Sequence, residues 1–129
     1  MVLDFDQIQV GDEAGLEHLL TQADVQAFTA LTGDTNPLHI KTLSHRPVVH
    51  GMLSASFIST VIGTILPGNG SLWVRQTLEF LQPAYIGDTL YVAVQVKQKS
   101  PAMRTLVLQT TITNQHGQRL ISGKAVVKC

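Results

Sequence analysis

Residues 51–66, GMLSASFISTVIGTIL, form the longest apolar stretch of the chain and are followed by the turn sequence PGNG at 67–70. Apolar side chains occur almost all round a helical projection of this stretch, with small residues between them. A helix that is hydrophobic on most faces is normally a buried one, and small residues let a neighbouring backbone come close. The stretch therefore predicts a buried helix.

After the turn, hydrophobic and polar residues alternate with a period of two, which is typical of strands with one buried face. A further short strand is expected before the helix, at 14–20. The alternating runs, which are separated by turn-like segments, are SLWVRQTLEFLQP (71–83), TLYVAVQVKQK (89–99), RTLVLQTTITN (104–114) and RLISGKAVVK (119–128). The sequence therefore predicts a single α+β domain over residues 1–129, in which a long antiparallel β-sheet wraps one buried helix.

A second helix is predicted upstream of the apolar one, over about residues 22–32. Thr21 and Asp24 resemble a capping box, with Asp in place of the usual Glu. Apolar residues then recur at helical spacing, and Gly33 supplies a stop signal.

Composition excludes several classes of protein. The 129 residues are 44% hydrophobic and 14% charged, with a formal net charge of zero and no Lys/Arg cluster, so nucleic acid is not expected as a partner. The apolar stretches are too short to span a bilayer, and the first residues lack the basic start of a signal peptide. We therefore expect a cytoplasmic protein with no membrane partner.

The content of cysteine and histidine indicates neither a disulfide nor a metal site. The single cysteine, Cys129, can form no internal disulfide. His18, His45 and His116 have no Cys, Asp or Glu at the spacing of metal ligands. No metal is expected.

The loop between the two predicted helices carries residues suited to acid–base chemistry. GDTNPLH at 33–39 follows no helical or strand period, and it separates Asp34 from His39 by a rigid Asn-Pro. Adding water to the double bond of an unsaturated thioester needs one group that takes a proton from water and another that protonates the α-carbon. Asp and His commonly do such work. Local sequence alone equally allows Asp34 to form a turn with His39 packed beside it.

Three motifs, in this order, resemble the MaoC-like (R)-specific enoyl-CoA hydratases: GDTNPLH (33–39), VVHGML (48–53) and LPGNGSLWVRQTLEF (66–80). The resemblance runs from about residue 25 to residue 128. It implies the hot-dog fold and reversible hydration of trans-2-enoyl-CoA to (R)-3-hydroxyacyl-CoA. It also implies a homodimer with the active site near the interface, no cofactor beyond the CoA thioester substrate, and Asp34 and His39 as the catalytic pair.

Three more residues are expected to contact the substrate or the pair. Gly51 opens the apolar helix, where free backbone N–H groups favour a developing oxyanion, although tight helix packing would also account for a glycine. The resemblance implies that Ser71 lies near the pair, with a turn-ending serine as the alternative. Asn36 would orient Asp34, although an ordinary Asx turn accounts for it equally well. His50 is interpreted as a packing or capping residue.

The chain departs from the family pattern directly after His39. Only ten residues separate His39 from His50, fewer than usual, and Lys41 stands where an acidic residue is common. Either the connection is truly short and opens the substrate channel, or a loop is missing from it. The second explanation predicts that one consecutive Cα pair between Ile40 and His45 is much farther apart than the roughly 3.8 Å of a trans peptide.

Two other functions are compatible with this fold. A hot-dog thioesterase would hydrolyse the acyl thioester, but such enzymes generally lack the motif at 33–39. A non-catalytic acyl-thioester-binding protein would have no need of Asp34 and His39. The sequence leaves open whether the acyl group is carried by CoA or by acyl carrier protein.

Overall fold

The predicted α+β arrangement is confirmed by a computed structural model, which describes residues 4–39, 46–68 and 70–129. Two short 3-10 helices, Phe5–Gln7 and Pro37–His39, accompany the regular elements. The elements in chain order are β1 (Glu13–Leu19), α1 (Gln22–Thr32), α2 (Gly51–Thr64), β2 (Leu72–Gln76), β3 (Glu79–Phe80), β4 (Thr89–Ser100), β5 (Thr105–Thr113) and β6 (Arg119–Lys128). The chain break proposed between Ile40 and His45 falls outside the described residues.

The strands form one sheet in the order β1-β4-β5-β6-β2, with β3 also paired to β6, and every pairing is antiparallel. Along β5 every second residue is buried, as the period of two predicts. The apolar side chains on the inner face of β4 and β5 are Leu90, Val92, Val94, Val96, Leu106, Leu108 and Ile112. This face packs against α2 and forms the core.

Helix α1 has the predicted bounds because its ends are satisfied locally. The Thr21 hydroxyl accepts from the Asp24 N–H at 3.2 Å, and the Asp24 carboxylate accepts from the Thr21 N–H at 3.0 Å. Gly33 ends the helix in the left-handed conformation, with φ of 76°, which glycine adopts without steric cost. The conformation of Gly33 sets the direction in which the chain leaves α1 and enters the loop at 33–39.

Helix α2 differs from the prediction in length and in burial. It ends at Thr64, two residues earlier than expected, and only one face is buried. Leu53, Ile58 and Ile62 face the sheet, whereas Met52 is 57% exposed. The reason is geometric: one sheet covers one side of a helix, so the opposite side stays open in a single chain.

The run at 71–83 was predicted as one strand but forms two short ones. The backbone of Thr77 lies directly on Gly123 of β6, where a side chain would overlap the Thr77 carbonyl oxygen. Thr77 hydrogen-bonds Lys124 through both its N–H and its hydroxyl. This local contact interrupts the ladder between β2 and β3.

In the parts of the chain that the structure describes, no helix has the length and apolar character needed to cross a membrane.

Candidate active site

The loop at 33–39 is ordered by hydrogen bonds among its own residues. The Asp34 Oδ1 atom accepts from the Asn36 N–H, and the Asn36 Oδ1 atom accepts from the Leu38 N–H, both at 3.1 Å. The Asn36 carbonyl accepts from the His39 N–H at 2.9 Å. Asn36 therefore forms the Asx turn that local sequence allowed, and through that turn it sets the relative positions of Asp34 and His39.

His39 presents a specific nitrogen to Asp34. Its Nδ1 atom lies 2.6 Å from the carbonyl oxygen of Val48. A carbonyl oxygen only accepts, so Nδ1 carries the proton, and in the neutral ring Nε2 is left as an acceptor. That Nε2 atom lies 3.9 Å from Asp34 Oδ2, with the His39 side chain 12% exposed and the Asp34 side chain 49% exposed. The structure thus brings the two predicted catalytic residues together without a direct hydrogen bond.

His50, which was excluded from the catalytic set at the level of sequence, lies in the same site. Its ring is 2% exposed and stacks on His39, with ring centroids 3.6 Å apart and planes at 22°. Its Nε2 atom is 3.0 Å from the Asp34 carbonyl oxygen. The signal available in the sequence was a histidine directly before the helix-opening glycine, but the contact with residue 34 required the tertiary structure.

Gly51 begins α2 next to the pair. The N–H groups of Leu53 and Ser54 both bond the His50 carbonyl, whereas no acceptor among the described residues is found for the N–H of Gly51. A Cβ at Gly51 would come within 2.7 Å of the Phe80 ring. Close packing therefore explains the glycine, and Gly51 also lines the cavity beside the pair.

A cavity of about 520 Å³ opens beside these residues and has mostly apolar walls. Asp34, His39, His50 and Gly51 line one part of it, together with Ser54, whose buried hydroxyl has no hydrogen-bond partner in the described chain. The remaining walls come from α2 and from the segments around β3 and β6, namely Met52, Phe80, Leu81, Pro83, Ala84, Leu120 and Ile121. An apolar cavity with a few converging polar groups is the usual form of a small-molecule site.

Ser71 is not brought to this cavity within one chain. Its hydroxyl donates to the Gly68 carbonyl at 2.7 Å and lies 3.4 Å from the Ile62 carbonyl. It lines a separate cavity with Asp4, Phe5 and Arg104. The turn-ending role that local sequence allowed accounts for these contacts, and a contact of Ser71 with substrate stays a prediction.

Donor atoms of Asp34, His39 and His50 all lie within 4.8 Å of one another, a spacing that a metal ion can use. The two rings, however, are stacked and nearly parallel, so their in-plane lone pairs run side by side and do not meet at one point. Each ring also uses one nitrogen for a carbonyl oxygen. The geometry favours acid–base chemistry over metal binding, and the absence of a metal stays a prediction.

Comparisons with known proteins identify the family of the chain. A protein-family model described as "MaoC like domain" matches residues 7–117. The chain is 39% identical over 129 residues to an (R)-specific enoyl-CoA hydratase from Rhodospirillum rubrum, covering 95% of this chain and 89% of that protein.

Solved structures of similar proteins have the same fold. The (R)-hydratase from Aeromonas caviae, involved in PHA biosynthesis, superimposes with a TM-score of 0.90 at 39% identity, over 95% of this chain and 97% of that one. The unliganded R-hydratase PhaJ1 from Pseudomonas aeruginosa gives a TM-score of 0.93 at 33% identity, over 99% and 86%. The predicted hot-dog fold is confirmed.

Proposed function

Since the chain belongs to the MaoC-like family, we propose that it is an (R)-specific enoyl-CoA hydratase in which Asp34 and His39 act on one water molecule. The activity converts trans-2-enoyl-CoA to (R)-3-hydroxyacyl-CoA and runs in either direction. The observation that carries the assignment of residues is the 3.9 Å separation of His39 Nε2 and Asp34 Oδ2, two acceptors that face each other.

That separation suits a water molecule held by both residues. Hydrogen bonds of this kind are about 2.8 Å long, so one water oxygen can lie within reach of both acceptors. Its two protons then point at Asp34 and His39, and its lone pair is left facing the cavity. A water oriented in this way is a nucleophile aimed at the β-carbon of a bound enoyl group.

The proton balance needs only the pair and the water. As the water oxygen bonds to the β-carbon, one of its protons passes to the pair and the other stays on the new hydroxyl group. The electrons of the double bond move to the α-carbon and the thioester oxygen. A proton from the pair then reaches the α-carbon, so the pair is unchanged at the end. No cofactor is required by this sequence of steps.

The thioester oxygen gains negative charge during the addition, and the start of α2 is suited to stabilise it. The N–H of Gly51 lies at the positive end of the helix dipole and lines the same cavity as the pair. Backbone donors placed where charge develops lower the barrier without reorganisation. The apolar walls of the cavity would hold the acyl chain, while the carrier, CoA or acyl carrier protein, stays outside.

We also propose that two copies of the chain form a homodimer. Strand β2 lies at an open edge of the sheet, and its side chains Leu72, Trp73 and Val74 are 63%, 37% and 59% exposed. Exposed apolar edge strands are normally paired or covered. An edge-to-edge dimer of the two sheets would cover them. The cytoplasmic location expected from the sequence stays a prediction.

The activity is tested by following the loss of enoyl absorbance after purified protein is mixed with crotonyl-CoA and with longer enoyl-CoAs. The configuration of the product is assigned by chiral chromatography. We expect hydration to the (R)-3-hydroxyacyl product. Release of free CoA without hydration would instead indicate a thioesterase, and binding without turnover would indicate a non-catalytic protein.

A further inference from the structure

His50 occupies the N-cap position of α2, yet its side chain forms no capping hydrogen bond. Polar side chains at this position usually accept from the first N–H groups of the helix. The His50 ring instead turns back toward the loop at 33–39 and is 2% exposed. Its contacts there, and not the helix end, must therefore explain a histidine at this position.

The first contact connects His50 to the backbone of Asp34. The Nε2 atom lies 3.0 Å from the Asp34 carbonyl oxygen and 3.5 Å from the Thr29 hydroxyl oxygen. The carbonyl can only accept, so Nε2 carries the ring proton. This bond joins the loop that carries the carboxylate to the N-cap residue of α2, directly before the Gly51 N–H.

The second contact fixes the plane of the His39 ring. His50 stacks on His39 at a centroid distance of 3.6 Å, and Phe28 lies on His50 at 4.9 Å and 53°. His39 is held at its Nδ1 atom by the Val48 carbonyl, so the stack removes its remaining freedom to rotate. His50 therefore influences the separation of His39 Nε2 and Asp34 in two ways. It stacks on the His39 ring, and it hydrogen-bonds the backbone of Asp34.

The remaining nitrogen of His50 shows that packing alone does not explain the residue. Nδ1 is buried and has no hydrogen-bond partner in the described chain, which is unfavourable for a polar atom. A phenyl ring would stack equally well without this cost. The imidazole is required only if its N–H is used, and the acceptor of that N–H is Asp34.

We propose that His50 is a positioning residue that holds Asp34 and His39 in register with the start of α2. This inference rests on the proposed hydration. His50 does not touch the reacting atoms in this role. It acts by maintaining the separation that one water can bridge, and small displacements of such groups reduce turnover strongly.

Two substitutions separate the hydrogen bond from the packing. His50→Phe keeps an aromatic ring but removes the N–H, and His50→Gln keeps a donor without the ring. We expect kcat for crotonyl-CoA to fall about 100-fold in His50→Phe and much less in His50→Gln. KM should be nearly unchanged in both, because His50 is buried in the cavity wall and acts through the position of the pair. His18 provides a matched control, since it also stacks on a phenyl ring, 4.2 Å from Phe57, and hydrogen-bonds an acidic residue, but outside the cavity. His18→Phe should leave kcat unchanged.

The effect should also depend on the pair itself. In a His39→Gln background, His50→Phe should cause little further loss of kcat, because a positioning residue acts through the group it positions. If His50→Phe lowers kcat by the same factor in the His39→Gln background as in the wild type, or if a folded His50→Phe protein keeps full kcat, the inference is contradicted. A change confined to KM would also contradict it. So would losses of kcat that follow the loss of thermal stability in both the His18 and the His50 variants.

Nitrogen-15 NMR of the histidine rings in the wild-type protein tests the same geometry without any activity measurement. We expect His50 to be protonated at Nε2 and bare at Nδ1, and His39 to be protonated at Nδ1. A His50 ring protonated at Nδ1 alone would overturn the inference, even if His50→Phe does not fold. A wild-type protein that fails to hydrate crotonyl-CoA and longer enoyl-CoAs would instead overturn the proposed function, so the two failures are distinguishable.

Discussion

Asp34 Oδ2 and His39 Nε2 are two acceptor atoms 3.9 Å apart, with no direct hydrogen bond between them. If both act on one water, the loss of either should remove the same step. We expect Asp34→Asn and His39→Gln to reduce kcat by about 10²–10⁴-fold. The double variant should be little worse than the poorer single variant, because residues that act as a unit are not additive. Steady-state kinetics with crotonyl-CoA measures this.

Folding must be checked in the same variants, since His39 is largely buried against His50. Circular dichroism and thermal melting should show a cooperative transition in each. Asp34→Asn is the clearer variant, because the side chain is 49% exposed and Asn can keep the turn bond to residue 36. Hydration at wild-type rates by Asp34→Asn would show that the carboxylate has no catalytic role.

Ser54 has a buried hydroxyl that forms no hydrogen bond with the described residues. Its hydroxyl is buried in the first turns of α2 and lines the cavity. Removing an unsatisfied hydroxyl avoids its desolvation cost, and alanine favours a helix. Ser54→Ala should therefore raise the free energy of unfolding by up to about 1 kcal/mol, as measured by urea denaturation. A destabilised Ser54→Ala protein would mean that the hydroxyl is bonded in solution.

At the scale of single elements, the start of α1 includes a group whose ionisation affects stability. Burial by itself raises the pKa of Asp24, but hydrogen bonds from His18 and Thr21, together with the charge of His18, bring it below its ordinary value of 3.8. The Asp24 carboxyl binds its proton less readily in the folded than in the unfolded protein. Its ionised form therefore stabilises the folded state at pH values above 3.8. The contribution is lost as the pH falls through the lowered pKa.

Asp24→Asn should therefore be less stable than the wild type at about pH 6, and the difference should shrink as the pH falls below 3.8. Urea denaturation at several pH values measures it. Glu17→Gln, which removes an exposed carboxylate from β1, serves as the control for the loss of a carboxylate. A stability difference for Asp24→Asn that is constant with pH would contradict the assignment.

The junction between β2 and β3 depends on one glycine of β6. A side chain at Gly123 would overlap the Thr77 carbonyl, which is backbone and cannot rotate away. Gly123→Ala should destabilise the protein by about 1–3 kcal/mol and loosen the β2–β3 segment. Gly63→Ala is the matched control, because no atom lies within 4 Å of its added Cβ and alanine is the better helix former. Equal stabilities of the two variants in urea would contradict this account.

For the molecule as a whole, the open edge at β2 exposes apolar side chains that a single sheet cannot cover. A second copy related by twofold symmetry would cover this edge in a dimer. Light scattering at micromolar concentration should give twice the chain mass of 14.0 kDa. A monomer at that concentration would reject the dimer.

Trp73→Asp should shift the protein toward the monomer, because a buried unpaired charge is costly in an interface. Leu31→Asp provides the control, since Leu31 is 84% exposed on α1, outside the β2 edge. The Leu31→Asp substitution should leave the mass measured by light scattering unchanged. Dissociation by Leu31→Asp but not by Trp73→Asp would place the interface elsewhere.

Local patterns in the sequence predicted most of the elements and identified Asp34 and His39 as a pair within one motif, and the catalytic role of this pair stays a prediction. The capping box at Thr21 and the stop at Gly33 act through neighbouring residues, so the bounds of α1 could be predicted to the residue. The period of two along β4, β5 and β6 depends only on which face is buried. The motif at 33–39 contains both Asp34 and His39, and the turn that orients them is formed within the same seven residues.

The distant residues that join this motif became visible only in the folded chain. His50 contacts a carbonyl sixteen positions away, Ser71 faces a different cavity, and Thr77 divides the strand at 71–83 by resting on Gly123. None of these contacts leaves a periodic or local signal, because each depends on how α2 packs against the sheet and on which way individual side chains turn. Packing selects among contacts that local sequence leaves equally allowed.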